Sequence, residues 1–339
     1  MPQPQRIVYL DGLRISACLM IILMHAPHPD VGTPGIILSS ISFMTASGIG
    51  LFFMVSGALL LPVLSDTTSF LKRRLWKIIG PLLFWTFFYV FVNFVTGKIS
   101  IHDMGFSIWS VFFSAQGNGT LWFLYSLAGL YLVAPVISPF LKNTSEFELR
   151  FYLSLWLFAM CFPLLSQIFE VERNISGMFY YFTGYLGYFV LGYYMHTYRP
   201  RIPMVVIVCL FLFPIAFLAG YKLFEIDFDF FDICGYLSIL VGMMCIGWFY
   251  TAQRLSTCSK MIGANMLAEI SNCCFGIYLM HIFIMRYLLW HIDFIVFECG
   301  SIGQILLTWL LTFTICLSLT YLISYLPFAE FIVGYKQIR

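Results

Sequence analysis

Ten apolar runs divide this 339-residue chain from end to end, each close to the roughly 20 residues an α-helix needs to cross a bilayer. They fall near 7–26, 36–62, 75–96, 119–141, 149–169, 177–196, 202–222, 231–251, 272–292 and 302–326. In hydrocarbon every backbone amide and carbonyl must be satisfied within its own segment, so each run is expected to be a helix. The expected fold is therefore all-α, a polytopic transmembrane bundle of about ten helices forming one domain over 1–339. No connection between the runs exceeds about twenty residues, which leaves no room for a separate soluble domain. Pro135, Pro139, Pro163 and Pro214 mark helix ends or kinks.

Composition excludes other classes. The chain is 61% hydrophobic and 10% charged, too little charge to keep a folded surface in water, and too apolar for disorder. A net charge of +2 argues against nucleic acid as a partner. Of the 10 cysteines, Cys18, Cys161, Cys209, Cys245, Cys273, Cys274 and Cys316 lie inside apolar runs, and no CxxC occurs. Neither a disulfide framework nor a metal site is expected.

Lys and Arg set the expected orientation. With the N-terminus cytoplasmic, the inner segments hold Arg6, Lys72, Arg73, Arg74, Lys77, Lys142, Arg150, Arg199, Arg201, Arg254, Lys260, Lys336 and Arg339, and the outer ones only Lys98, Arg173 and Lys222. Glu170, Glu172, Glu225, Asp227, Asp229, Asp232, Asp293 and Glu298 fall on the outer side. Both termini are thus expected in the cytoplasm. The first run contains Asp11 and Arg14 and is followed by no small-x-small cleavage site, so it reads as a retained helix rather than a signal peptide. The N-x-S/T triplets at Asn118, Asn143 and Asn174 carry little weight.

Charge within a span costs about 2.5–3.5 kcal/mol, so Asp11 and Arg14 need a reason. Three residues apart, they are expected to pair on one helix face. Arg14 and His25 are separated by eleven residues, about three turns, so both point the same way about 16 Å apart, with Cys18 and Ile21 between them. Two readings stand for this stripe. Asp11 and Arg14 form a structural pair with His25 as an interfacial histidine, or the stripe lines a polar passage.

The segment YLDGLRISACLMIILMHA (9–26) resembles the first-helix signature of the acyltransferase-3 family of integral membrane acyltransferases. FFMVSG (52–57), KRRLWKIIGP (72–81), LWFL (121–124) and EISNCCFGIYLMH (269–281) are similar to further family motifs and follow in the family's order. The resemblance is nearest to surface-polysaccharide O-acetyltransferases of bacteria. It implies acetyl-CoA or another acyl-CoA as co-substrate, no permanently bound cofactor, a carbohydrate or lipid-linked glycan acceptor, and a place in the cell inner membrane.

Such a transfer needs a base, an oxyanion stabiliser and a site for the CoA phosphates. His25 suits the base. Arg14 suits a phosphate or the oxyanion, with Asp11 expected to hold its fork. Lys72, Arg73, Arg74 and Lys77 suit either anionic lipid or the CoA phosphates. His281 falls mid-span and either completes the reaction chamber or cross-links helices. Ser56, Trp122, Tyr125 and Tyr278 are expected to line the site. His25, Arg14, Asp11 and His281 are the candidate catalytic set, with donor binding assigned to Arg14 and the four cations. A water-accessible tunnel joining Arg14 to His25 is the central expectation, with the pantetheine arm reaching through it and no acyl-enzyme. The competing readings are a secondary transporter or lipid-linked sugar flippase, which would neither bind nor consume acetyl-CoA, and a membrane scaffold indifferent to changes at Arg14 and His25.

Overall fold

The computed structural model describes residues 6–111, 113, 119–170, 182–225, 229–258 and 263–337, with the backbone alone at 257 and 258. Arg173, Lys260, Arg339, Glu172, Asp227, Asn118, Asn174 and the start of the 177–196 run lie outside the described residues. Among the described residues there is no strand. The helices are α1 (Val8–His25), α2 (Gly35–Leu60), α3 (Thr67–Val95), α4 (Ile101–Ser110), α5 (Trp122–Asn143), α6 (Glu146–Ala159), α7 (Phe162–Ile168), α8 (Tyr185–Tyr198), α9 (Met204–Leu223), α10 (Phe230–Cys234), α11 (Ile239–Cys258), α12 (Ala264–Tyr287), α13 (Gly300–Ile323) and α14 (Ala329–Val333). The chain is an all-α polytopic bundle.

Nine described segments are long and apolar enough to cross a membrane. The tenth expected span corresponds to α8, which has 14 described residues and is not among these nine. Local chemistry explains the shifted boundaries. α3 begins at Thr67, well before the expected 75, because the Asp66 carboxylate accepts from the Ser69 amide at 3.0 Å and caps the helix there. The basic segment is therefore helical. The 149–169 run is broken into α6 and α7 beside Pro163, which sits in the first turn of α7. The 231–251 run is interrupted at Gly235, giving α10 and α11. α4, which hydropathy did not disclose, starts at a reciprocal cap between Ser100 and Asp103.

α1 is the centre of the bundle, packed among α2, α11, α12 and α13. That placement turns its polar stripe toward protein. α12 is the most buried of the long spans and α9 the most exposed. α2 and α8 pack backbone to backbone: a Cβ on Gly57 would fall onto the carbonyl of Phe189 and one on Gly192 onto that of Met54. Only glycine lets the two backbones meet in this way, a device common where helices pack in lipid.

The C-terminal segment folds back on the bundle. Trp85 on α3 donates its indole N–H to the Ile332 carbonyl at 2.8 Å, and the Gln337 amide bonds the Ser324 carbonyl at 3.0 Å. Gly334 ends α14 in the left-handed region (φ 67°), a conformation that favours glycine and turns the chain back against Phe275. Arg6 bonds Asn272, and Asn272 shares a cavity wall with Tyr335, so residues 6 and 335 lie at the same end of the bundle. Arg6 and the cations of α3 mark this as the basic end; His25, at the far end of α1, marks the histidine end.

Candidate active site

The expected Asp11 to Arg14 pair does not form. Asp11 is almost fully buried and takes a two-pronged bond from Arg6, with Nε to Oδ2 at 2.7 Å and Nη2 to Oδ1 at 3.0 Å. Residue 7 is extended, which lets the Arg6 side chain fold over the first turn of α1 and meet the carboxylate with its planar fork. The same guanidinium reaches the Ala268 carbonyl at 2.8 Å and Asn272 Oδ1 at 3.0 Å, tying the start of α1 to α12. Asp11 thus holds Arg6, not Arg14.

Arg14 instead donates to Ser271 Oγ at 3.1 Å, and among the described residues no carboxylate pairs with it. Its guanidinium opens on a cavity of about 370 Å³ between α1, α2, α3, α5, α12 and the C-terminal segment. Ser56, Arg74, Lys77, Tyr278 and Tyr335 line the same space. Arg74 and Lys77 are three residues apart on α3, hence on one face, and both also border an adjoining hollow of about 890 Å³. Lys72, Arg73 and Trp76 line that hollow, with Glu330 the one carboxylate on its wall among the described residues. Arg73 is partly engaged, donating to the Ser69 carbonyl at 3.1 Å and Ser65 Oγ at 3.3 Å. The four cations of α3 and Arg14 therefore face two spaces that meet at Arg74 and Lys77.

The histidines occupy the opposite side of Tyr278. The rings of His25 and His281 are 5.5 Å apart, tilted by 37°. His281 is fully buried, and its Nδ1 lies 2.6 Å from the Tyr278 carbonyl. A carbonyl only accepts, so in the neutral ring Nδ1 carries the proton and Nε2 keeps its lone pair. That Nε2 has no hydrogen-bond partner among the described residues. An unpaired buried acceptor costs about 1–3 kcal/mol and calls for a functional explanation.

Tyr278 stands between the two regions. It lines the Arg14 cavity, its ring is 5.7 Å from His281 and 5.4 Å from Phe123, and its hydroxyl donates to the Thr120 carbonyl. Neither histidine borders the cavity. Below Tyr278, Cys18 is buried with its thiol directed at the Cys274 carbonyl, 3.8 Å away. The cavity that holds Arg14 reaches the Tyr278 ring and borders neither histidine, so it does not itself form the expected open tunnel to His25. α1 runs unbroken from Val8 to His25, so the roughly 16 Å between Arg14 and His25 stands.

Two expected lining residues lie elsewhere. The Tyr125 hydroxyl donates to the Val111 carbonyl at 2.5 Å, away from the cavity. Trp122 stacks between the rings of Tyr185 and Tyr236, at 5.5 and 5.6 Å. Tyr236 in turn contacts the sulfur of Met24, which places this aromatic group at the histidine end of α1. Ser271, Asn272 and Tyr335 were not singled out from sequence. For α12 a signal existed, since Ser271, Cys274, Phe275 and Tyr278 follow helical same-face spacing and all line the cavity.

A family model, that of the acyltransferase domain of the acyltransferase-3 family, matches residues 7–328. The chain belongs to the acyltransferase-3 family. No curated protein and no solved structure matches it. As an acyltransferase-3 protein with many apolar helices it is a multi-pass membrane acyltransferase. The family match covers every helix up to the end of α13, so the Arg14 cavity and the histidine pair both lie largely within it. Gly334, Tyr335 and Glu330 lie just beyond it.

Proposed function

We propose that this acyltransferase moves an acetyl group from acetyl-CoA to a hydroxyl of a surface carbohydrate or lipid-linked glycan. The observation that carries the reading is the in-line order of the site: clustered cations, then Arg14, then Tyr278, then the histidine pair. The basic end faces the cytoplasm, as positive-inside loops require, and the bilayer is a bacterial inner membrane. Lys72, Arg73, Arg74 and Lys77 hold the 3′-phosphate and diphosphate of CoA, and Arg14 takes the innermost polar group of the donor. The pantetheine arm carries the thioester past Tyr278 once that ring swings aside.

At the histidine end, the imidazole of His25 removes the acceptor hydroxyl proton. The hydroxyl oxygen then attacks the thioester carbonyl carbon, and the tetrahedral oxyanion collapses with cleavage of the carbon–sulfur bond. The proton held on imidazole passes to the departing CoA thiolate. His281, whose Nε2 has no partner, accepts a hydrogen bond from the acceptor or from His25 and keeps the reacting ring in place. Transfer is direct, with no acetyl on Cys18 or another residue.

The test combines two measurements. Purified protein in lipid nanodiscs is titrated with acetyl-CoA, and surface glycans of cells producing each variant at matched levels are analysed by mass spectrometry for acetyl esters. Arg14→Ala is expected to weaken donor binding about tenfold to a hundredfold, the worth of one charged hydrogen bond of 1.5–3 kcal/mol. His25→Ala is expected to leave donor binding unchanged and abolish the ester. Undiminished acetylation in His25→Ala, or an acetyl covalently trapped on the protein, overturns the reading.

A further inference from the structure

The hollow beside α3 holds one side chain that the chemistry above leaves unused. Trp76 lines it together with Lys72, Arg73, Arg74 and Lys77, and is 63% exposed. The chain has 8 tryptophans. Trp85, Trp156 and Trp309 donate their indole N–H to backbone carbonyls, and Trp109, Trp122, Trp248 and Trp290 pack against aromatic rings. Among the described residues Trp76 alone has neither a ring contact nor a hydrogen bond. Its faces are turned to the space where the cations gather.

Helical phase orders the hollow. At about 100° per residue, Arg73 and Lys77 occupy the centre of the face, Arg74 one flank, and Lys72 and Trp76, four residues apart, the other. Arg74 and Lys77 also border the Arg14 cavity, whereas Lys72 and Trp76 do not. The indole therefore stands on the side of the helix turned farthest from Arg14. Leu60, Pro62, Val63 and Leu64, from the end of α2 and the loop after it, complete the lining with aliphatic surface. An aromatic plate with aliphatic walls beside clustered cations suits a planar base that carries phosphates, since the ring stacks while the charges hold the oxygens.

Given acyl-CoA as the donor, the reading on which this rests, we infer that the Trp76 indole carries the adenine ring. Adenine lies at the end of CoA remote from the thioester, with the phosphates between, so the order indole, cations, Arg14 repeats the order base, phosphates, pantetheine. The hollow of about 890 Å³ has room for a ligand of nucleotide size, and the cavity of about 370 Å³ is left for the slim arm. The contact selects a nucleotide-bearing donor over an acyl group carried on phosphopantetheine alone. A tryptophan near a helix end also serves as an interfacial anchor, but that role needs bulk and an apolar surface, which leucine supplies in large part. Stacking needs the ring.

The experiment titrates the full chain in lipid nanodiscs with three probes: acetyl-CoA, adenosine 3′,5′-bisphosphate, which is the nucleotide end of the donor alone, and S-acetyl-4′-phosphopantetheine, which lacks the nucleotide. Trp76→Leu is expected to weaken the first two about tenfold, the worth of one base stacked on an aromatic ring, and to leave the third unchanged. Trp76→Phe keeps a smaller plate, is expected to lose less, and serves should the leucine variant fail to fold. In acetyl transfer the loss is expected in KM for acetyl-CoA, with kcat at saturating donor held at the parental value. Parental affinity for acetyl-CoA in Trp76→Leu overturns the inference and leaves the donor reading standing. An equal loss for all three probes shows a general structural role and overturns it as well. A parental protein that binds neither acetyl-CoA nor the bisphosphate overturns both.

Discussion

The position of His25 rests on a side chain that neither motif nor hydropathy marked. Gln304, on α13, is fully buried, and it donates from Nε2 to the Ala26 carbonyl at 3.0 Å and to Thr308 Oγ1 at 2.9 Å. Its Oε1 accepts from the His28 amide at 3.2 Å. Ala26 follows His25 directly, so this one amide fastens the turn that ends α1. Gln304→Leu keeps the volume and removes all three bonds. It strands the Ala26 carbonyl and the His28 amide, each worth about 1–3 kcal/mol when left unpaired, for a total of about 2–6 kcal/mol. The turn is then expected to loosen, and, on the proposed role of His25 as base, a displacement of about 1 Å loses about a hundredfold in rate. On the proposed mechanism acetyl-CoA binds at Arg14, some 16 Å away, and its affinity is expected to be unchanged. Amide hydrogen exchange should speed up at residues 26–31, acetyl transfer should fall, and donor affinity should hold. Gln304→Glu keeps an acceptor for His28 and is expected to lie between the two. A Gln304→Leu protein that transfers acetyl at the parental rate, with an unchanged exchange profile, refutes the reasoning.

Three further outcomes are expected. Tyr278→Ala removes the partition between the Arg14 cavity and the histidines and should admit water to the thioester; thiol release from acetyl-CoA without an acceptor should rise, and an unchanged background counts against the partition. Asp11→Asn should lower the thermal midpoint modestly, by the equivalent of about 1 kcal/mol since Arg6 is partly exposed, and leave donor affinity as it was. A donor defect there would restore a link from Asp11 to Arg14. Gly57→Ala places a methyl group against the Phe189 carbonyl and should cost at least about 1–3 kcal/mol, seen as a loss of monodisperse protein after extraction; normal yield and midpoint would mean that the seam yields readily.

Long-wavelength patterning was legible in the sequence and short polar contacts were not. Runs of about twenty apolar residues announce helices because lipid leaves the backbone no alternative, and nine described segments agree. Helical phase alone aligned Arg14 with His25, and α1 is unbroken between them. The choice of partner for Asp11 was not legible. Spacing of three residues allowed Arg14, whereas the extended backbone at Ile7 brought Arg6 within reach, a matter of chain direction before the helix begins. Tyr125 and Trp122 have the right type and the right helix for lining residues, yet their neighbours Val111, Tyr185 and Tyr236 come from distant segments. Gln304 sits 278 residues from Ala26, and Tyr335 lies on a tail that only Gly334 turns toward the cavity. Such pairings depend on three-dimensional closure and leave no local trace.

The glycine contact between α2 and α8 limits how this protein can work. Where two main chains touch without intervening side chains, neither helix can slip or rotate against the other without collision. The two helices therefore travel as one body, and any rearrangement that opens a path across the membrane is expected to leave the seam between α2 and α8 intact.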